Sequence, residues 1–139
     1  MSLQVWLPLT KDLRQQGLSN VTATNNGAIF DSAGKLGGCY LFDGSSSRIS
    51  CSSYTWTYPM SICAWFKPTD VTNSNTQYWL SYNTASGGTA GHAIGIGTYG
   101  GKLSVWFGGQ VRSLSTTLSN NVWYHIALSL IQIKKLPLI

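Results

Sequence analysis

The sequence predicts an all-β chain folded as an antiparallel β-sandwich. Three observations carry that expectation. Short runs rich in Val, Ile, Tyr, Trp and Phe recur along the 139 residues, punctuated by Gly, Asn, Ser and Pro. No stretch of useful length repeats its apolar residues at the 3.6-residue period of a helix. The composition, 43% hydrophobic and 12% aromatic, supplies a real core rather than a disordered chain, and the length suits one domain better than two.

The elements follow in order. Residues 3–9, LQVWLPL, open the chain as a strand. Residues 11–17, KDLRQQG, are the sole helical candidate, and Asp12 and Arg14 there are better explained by a loop. VTATN (21–25) and GAIF (27–30) are short strands. GCYLF (38–42) and RISC (48–51) flank DGSSS (43–47), a turn in which Gly44 takes positive φ and Asp43 caps. MSICAWFKP (60–68) is the cleanest strand. Met60, Ile62, Ala64 and Phe66 share an apolar face, and Ser61, Cys63, Trp65 and Lys67 share the other, with Pro68 ending the ladder. QYWLSYN (77–83) precedes the loop TASGGTAG. HAIGIG and KLSVWFG, joined by TYGG, read as a hairpin whose Leu103, Val105 and Phe107 face the core and whose Trp106 faces away. QVRSL (110–114) leads to a polar turn. NVWYHIALSL (121–130) is the last strand, with Val122, Tyr124, Ile126, Leu128 and Leu130 on one side. Eight to ten short strands with regular turn signals make a sandwich.

Charge excludes more than it suggests. The formal net charge is +5, but only 9% of residues are charged, and the excess reflects four acids against nine bases. Apart from Lys134–Lys135 the bases are scattered singly, which is not the footprint of a nucleic-acid partner. Cys39, Cys51 and Cys63 cannot all pair within one chain and have no zinc spacing, so they read as small half-buried thiols. The start carries no charged leader with an apolar run, and no stretch is long enough to span a membrane. The chain is expected to be made in the cytoplasm, with no membrane partner.

No catalytic or cofactor motif survives its context. GIGTYG matches the dinucleotide spacing at Gly95, Gly97 and Gly100, but a strand rather than a helix follows it, so the glycines read as hairpin residues. Asp12, Asp31, Asp43 and Asp70 sit singly in turn-like contexts. They form neither a hydrolase carboxylate pair nor a calcium cluster, although backbone carbonyls could supply part of a weak calcium site. His125 lies within a strand beside Trp123 and reads as structural. His92, at a loop–strand junction, is placed to hydrogen-bond a ligand. Neither is paired with a nucleophile. The expectation is a non-enzyme without cofactor or metal.

The aromatics are more suggestive. In SSYTWTYP, Tyr54, Trp56 and Tyr58 alternate with Thr, so an extended backbone puts all three rings on one face. Sugars stack their C–H faces on such rings while their hydroxyls bond to polar neighbours. Tyr54, Trp56, Tyr58, Tyr82 and Trp106 are therefore the stacking candidates, and Asn83 and His92 the polar ones. The plainer alternative is that these rings cover one end of the sandwich.

Several segments, taken in order, carry a family resemblance: LPLTKDL, GKLGGCYLFDGSSSRIS (34–50), SICAWFKP (61–68), GKLSVWF (101–107) and NNVWYHIALSL (120–130). The chain resembles the concanavalin A-like lectin/glucanase superfamily, in its laminin-G-like branch, over roughly residues 3–130. The resemblance implies a jelly roll of two antiparallel sheets that binds glycans or protein surfaces, and the Asn/Ser-rich style is similar to phage tail or fibre proteins. The paired acids of catalytic members and the acidic cluster of calcium-dependent members are missing. So is the polar turn and strand that should follow the last motif. In its place stands IQIKKLPLI (131–139), an atypical apolar tail. A one-base shift of an A/T-rich coding for Leu130 onward restores a polar turn and a strand, so the domain (1–130) is expected to be truncated at its C-terminal strands. A truncated sandwich leaves open edges, which Ile131, Ile133, Leu136, Leu138 and Ile139 or neighbouring copies must cover. Two functions are thus expected: a non-catalytic carbohydrate-binding module, or a structural and adhesion domain that acts as a homo-oligomer through its sheet edges.

Overall fold

A computed structural model describes residues 7, 9, 13, 17, 20–52, 57–72, 77–83, 92–107 and 109–131. The chain is all-β with antiparallel sheets, consistent with a β-sandwich, and no helix occurs among the described residues. No helix there is long and apolar enough to cross a membrane. The strands are β1 (Ala23–Asn26), β2 (Ile29–Asp31), β3 (Cys39–Leu41), β4 (Arg48–Cys51), β5 (Met60–Phe66), β6 (Gln77–Asn83), β7 (His92–Tyr99), β8 (Lys102–Phe107), β9 (Gln110–Thr117) and β10 (Tyr124–Leu130). They pair as β1–β4, β2–β3, β5–β10 and a four-stranded sheet in the order β6–β7–β8–β9. Of the opening LQVWLPL only Leu7 and Leu9 are described, and the TASGGTAG loop and the tail beyond Ile131 lie outside the described residues.

The chain divides into two units, Met1–Ile62 with Leu128–Ile139, and Cys63–Ala127. In the first, Val21, Ala28 and Met60 are buried. Phe30 and Tyr40 meet edge to face at 5.7 Å across the β2–β3 pair. The turn between β3 and β4 is organised by Asp43, as its sequence predicts. One carboxylate oxygen accepts the backbone N–H groups of Ser45, Ser46 and Ser47, each at 2.9 Å, and the Ser47 hydroxyl at 2.8 Å. These donors hold the Asp43 carboxyl well below the usual carboxylate range. A depressed folded-state pKa contributes stability that is present above the unfolded pKa of about 3.9 and lost only as pH falls through the folded value. The Ser45–Ser47 amide protons should therefore keep their hydrogen-bonded chemical shifts to a pH well under that of a free carboxyl. An Asp43→Asn variant should lose this acid dependence.

In the second unit the four-stranded sheet holds the core: Ile94 and Ile96 are almost fully buried, as are Thr98 and Ser104. The two buried hydroxyls are satisfied. Thr98 donates to Gln77 Oε1 at 3.3 Å, and Ser104 donates to the Lys102 carbonyl at 3.0 Å while sharing a 2.8 Å bond with Ser113. The glycines of GIGTYG serve packing and a turn. A Cβ on Gly95 would press on the Tyr78 ring at 3.0 Å, and one on Gly97 would strike the Gln77 carbonyl. Gly100 and Gly101 both take positive φ between the paired Tyr99 and Lys102, as a two-residue type I′ hairpin turn requires.

One face assignment is corrected. In β8 the buried residues are Ser104 and Trp106, while Phe107 is exposed and Leu103 and Val105 are half-buried. The reason is a gap left by glycine. Trp106 lies opposite Gly95 and Ser104 opposite Gly97, so the missing side chains make room for the Trp106 and Tyr78 rings, 4.6 Å apart. Burial then falls away across the sheet, and all eight residues of the edge strand β9 are exposed.

The turn before β10 is tied down by polar contacts. Val71 N–H donates to Asn120 Oδ1 at 2.7 Å, Asn121 N–H to the Pro68 carbonyl at 2.7 Å, and Ser119 N–H to the Tyr124 hydroxyl at 2.8 Å. Val71 is buried, so removing its acceptor orphans a donor. Asn120→Ala is expected to cost about 1–2 kcal/mol, read as a lowered urea midpoint at unchanged slope.

Candidate functional site

The residues predicted for the site are described in part. Tyr54 and Trp56 lie outside the described residues. Tyr58 is 42% exposed. Tyr82 is half-buried in β6, and Asn83 and His92 face each other as register partners at the adjoining ends of β6 and β7, with side chains outside the described residues. Trp106 is 8% exposed with Tyr78 against it, so its ring offers little area to a ligand.

A different set of aromatics is brought together by the pairing of β5 with β10. The strand alternation turns Met60, Ile62, Ala64 and Phe66 inward, and the matching residues Tyr124, Ile126, Leu128 and Leu130 are half-buried. Phe66 meets Trp79 at 5.2 Å. Trp79 stands at a register shift in β6 between Tyr78 and Leu80, and the extra residue of a bulge is free to aim its ring. With the apolar face used this way, the opposite residues of both strands face outward.

On that outward side, Trp65 and His125 pair across the strands with ring centroids 5.1 Å apart, and the Lys67 ammonium stands 5.9 Å from the centre of the Trp123 ring. The two contacts step two residues up one strand for two down the other, as an antiparallel register requires, which spaces them ~7 Å along the strands. Trp65 is 38% exposed, Lys67 and His125 are exposed, and Trp123 is half-buried. Cys63, a free cysteine that is exposed rather than half-buried as expected, continues the row.

This strip can stack and donate. Two indole faces provide flat apolar area, the ammonium provides three N–H donors and a charge, and the imidazole offers a donor and, when neutral, an acceptor. Among the described residues no group of three or more His, Cys, Asp or Glu stands together to hold a metal ion. The Cys51 thiol, elsewhere in the chain, is pushed up by burial, which weakens it as a nucleophile.

Sequence reasoning put Trp65 and Lys67 on one face of their strand, treated His125 as structural and gave Trp123 no role. The available signal was that Trp-x-Lys and Trp-x-His each alternate in phase. What alternation leaves open is which strand lies beside which. Comparison with known proteins finds no match: no family model, no curated protein and no solved structure matches this chain.

Proposed function

We propose that this chain is a non-catalytic, lectin-like carbohydrate-binding module that stacks sugar rings on the strip formed by Trp65 and Trp123. The observation that carries the reading is the outward row itself: exposed indole with polar donors interleaved, on a strand pair whose other face is apolar. An indole kept on the wet side of a sheet is positioned for a ligand that is apolar on one face and polar at its rim, which describes a sugar. The ordered motifs that resemble the concanavalin A-like, laminin-G-like domains support the same reading, and jelly-roll order is part of the proposal. Tyr54, Trp56 and Tyr58 are the second set of stacking candidates, from the alternation in the sequence. A glycan array probed with the wild type, Trp65→Ala and Trp56→Ala separates the two. Loss with Trp65→Ala assigns the strip, loss with Trp56→Ala assigns the other row, and a signal that survives both sinks the stacking idea.

A second reading has its own observation. β9 is an edge strand exposed along all eight residues, including Val111 and Leu114, and carries Arg112 as its one charge. An edge so lightly protected by charge invites strand pairing. On this reading the chain is an assembly or adhesion domain of a phage or surface fibre. Light scattering tests it: a discrete oligomer abolished by Leu114→Lys supports assembly through β9, and a monomer at all concentrations removes it.

A further inference from the structure

We infer that the glycan taken by the Trp65–Trp123 strip is acidic, a sugar bearing a carboxylate or sulfate. The inference rests on the stacking reading above and adds the ligand's charge. The charged group on the strip is Lys67, whose ammonium sits over the Trp123 ring and whose stem leaves the head exposed. Beside it, His125 presents an imidazole against Trp65. Neither β5 nor β10 contains an Asp or Glu, so no carboxylate on these strands competes for the ammonium.

The three acids among the described residues are engaged. Asp70, three residues beyond Lys67, accepts both the N–H and the hydroxyl of Thr72 at 2.9 and 2.7 Å. Asp43 is held by its serines, and Asp31 accepts the N–H of Ala33 at 2.9 Å. The whole chain is at +5 with four acids, so its long-range field also favours an anion.

A neutral sugar stacked on Trp123 would gain area but leave Lys67 with water as its partner. An anionic substituent at the rim of that sugar meets the ammonium as a charge-assisted hydrogen bond, the stronger kind. Specificity then divides between the elements: the indoles select a flat ring, and Lys67 selects its charge.

The test compares matched probes. Polygalacturonate, alginate and hyaluronan are each presented beside their carboxyl-reduced forms, and dextran sulfate beside dextran, so that charge changes and the sugar backbone does not. Affinity is measured by titration calorimetry with the full chain. At least one acidic probe should bind about fivefold or more tightly than its neutral partner. That preference should shrink when salt rises from about 0.1 M to about 1 M, which shortens the Debye length from about 10 Å to about 3 Å. Lys67→Gln should erase the preference of the acidic over the neutral form. Lys67 is exposed, so this variant keeps its fold, and the salt series tests the idea on the wild type alone. Equal binding of acidic and neutral forms overturns the charge assignment and leaves stacking standing. Binding to none of the probes, nor to any glycan on an array, overturns both.

Discussion

Gly97→Ala is expected to destabilise the second unit by about 3 kcal/mol or more, at the upper end of what overpacking a close contact costs. The added Cβ would strike the Gln77 carbonyl oxygen and stand 3.0 Å from the Tyr78 Cα. Both are backbone atoms of the neighbouring strand, so no rotamer change can relieve the overlap. β6 must move away from β7, and the Thr98–Gln77 bond and the Tyr78–Trp106 ring pair go with it. Gly109→Ala is the control. Nothing lies within 4 Å of a Cβ there, and only its positive φ penalises a side chain, by about 1 kcal/mol. Urea midpoints for the two variants settle the matter. Equal losses would mean that backbone conformation, not close approach, is what Gly97 supplies.

Trp65→Ala is expected to weaken glycan binding about tenfold or more, because the ring's stacking area is lost at about 25 cal/mol per Å². The fold should survive. Trp65 stands on the outward side of β5, and its removal costs the cross-strand contact with His125, worth at most about 1 kcal/mol. Binding and urea stability therefore separate in this variant: affinity falls while the midpoint barely moves. Trp65→Phe, which keeps a ring, should retain part of the affinity. Collapse of both readouts together in Trp65→Ala would instead make the ring a structural member of the sheet, and would move the site to the Tyr54–Trp56–Tyr58 row.

Much of the fold is legible in the residues. The alternation in MSICAWFKP and NVWYHIALSL fixes which side chains share a face, and the half-buried pattern of β5 and β10 follows it. The DGSSS turn is legible for a similar reason: an Asp followed by three small residues with free N–H groups has its donors within reach in almost any compact turn. The glycines of the dinucleotide-like spacing read as hairpin residues because a strand follows them, and Gly100 forms the turn between β7 and β8.

Trp106 shows where such reading stops. Alternation separated it from Leu103, Val105 and Phe107 but could not say which set is inside. The deciding feature is on another strand: Gly95 and Gly97 leave a hollow opposite Trp106 and Ser104, and the Tyr78 ring covers it. The sites of β6 and β7 show the same limit. Asn83 and His92 come together only because those two strands pair.

By itself, then, the sequence determined the all-β class, the approximate positions of the described strands and the two faces of β5, β8 and β10, though it ended β9 at Leu114 where the strand runs to Thr117. These depend on backbone dihedral preferences and a two-residue period, which are local. Tertiary structure alone decided which face of β8 is buried, and that Trp65 meets His125 while Lys67 meets Trp123. Those outcomes depend on strand neighbours far apart in the chain, and a period of two carries no information about which neighbour a strand will have.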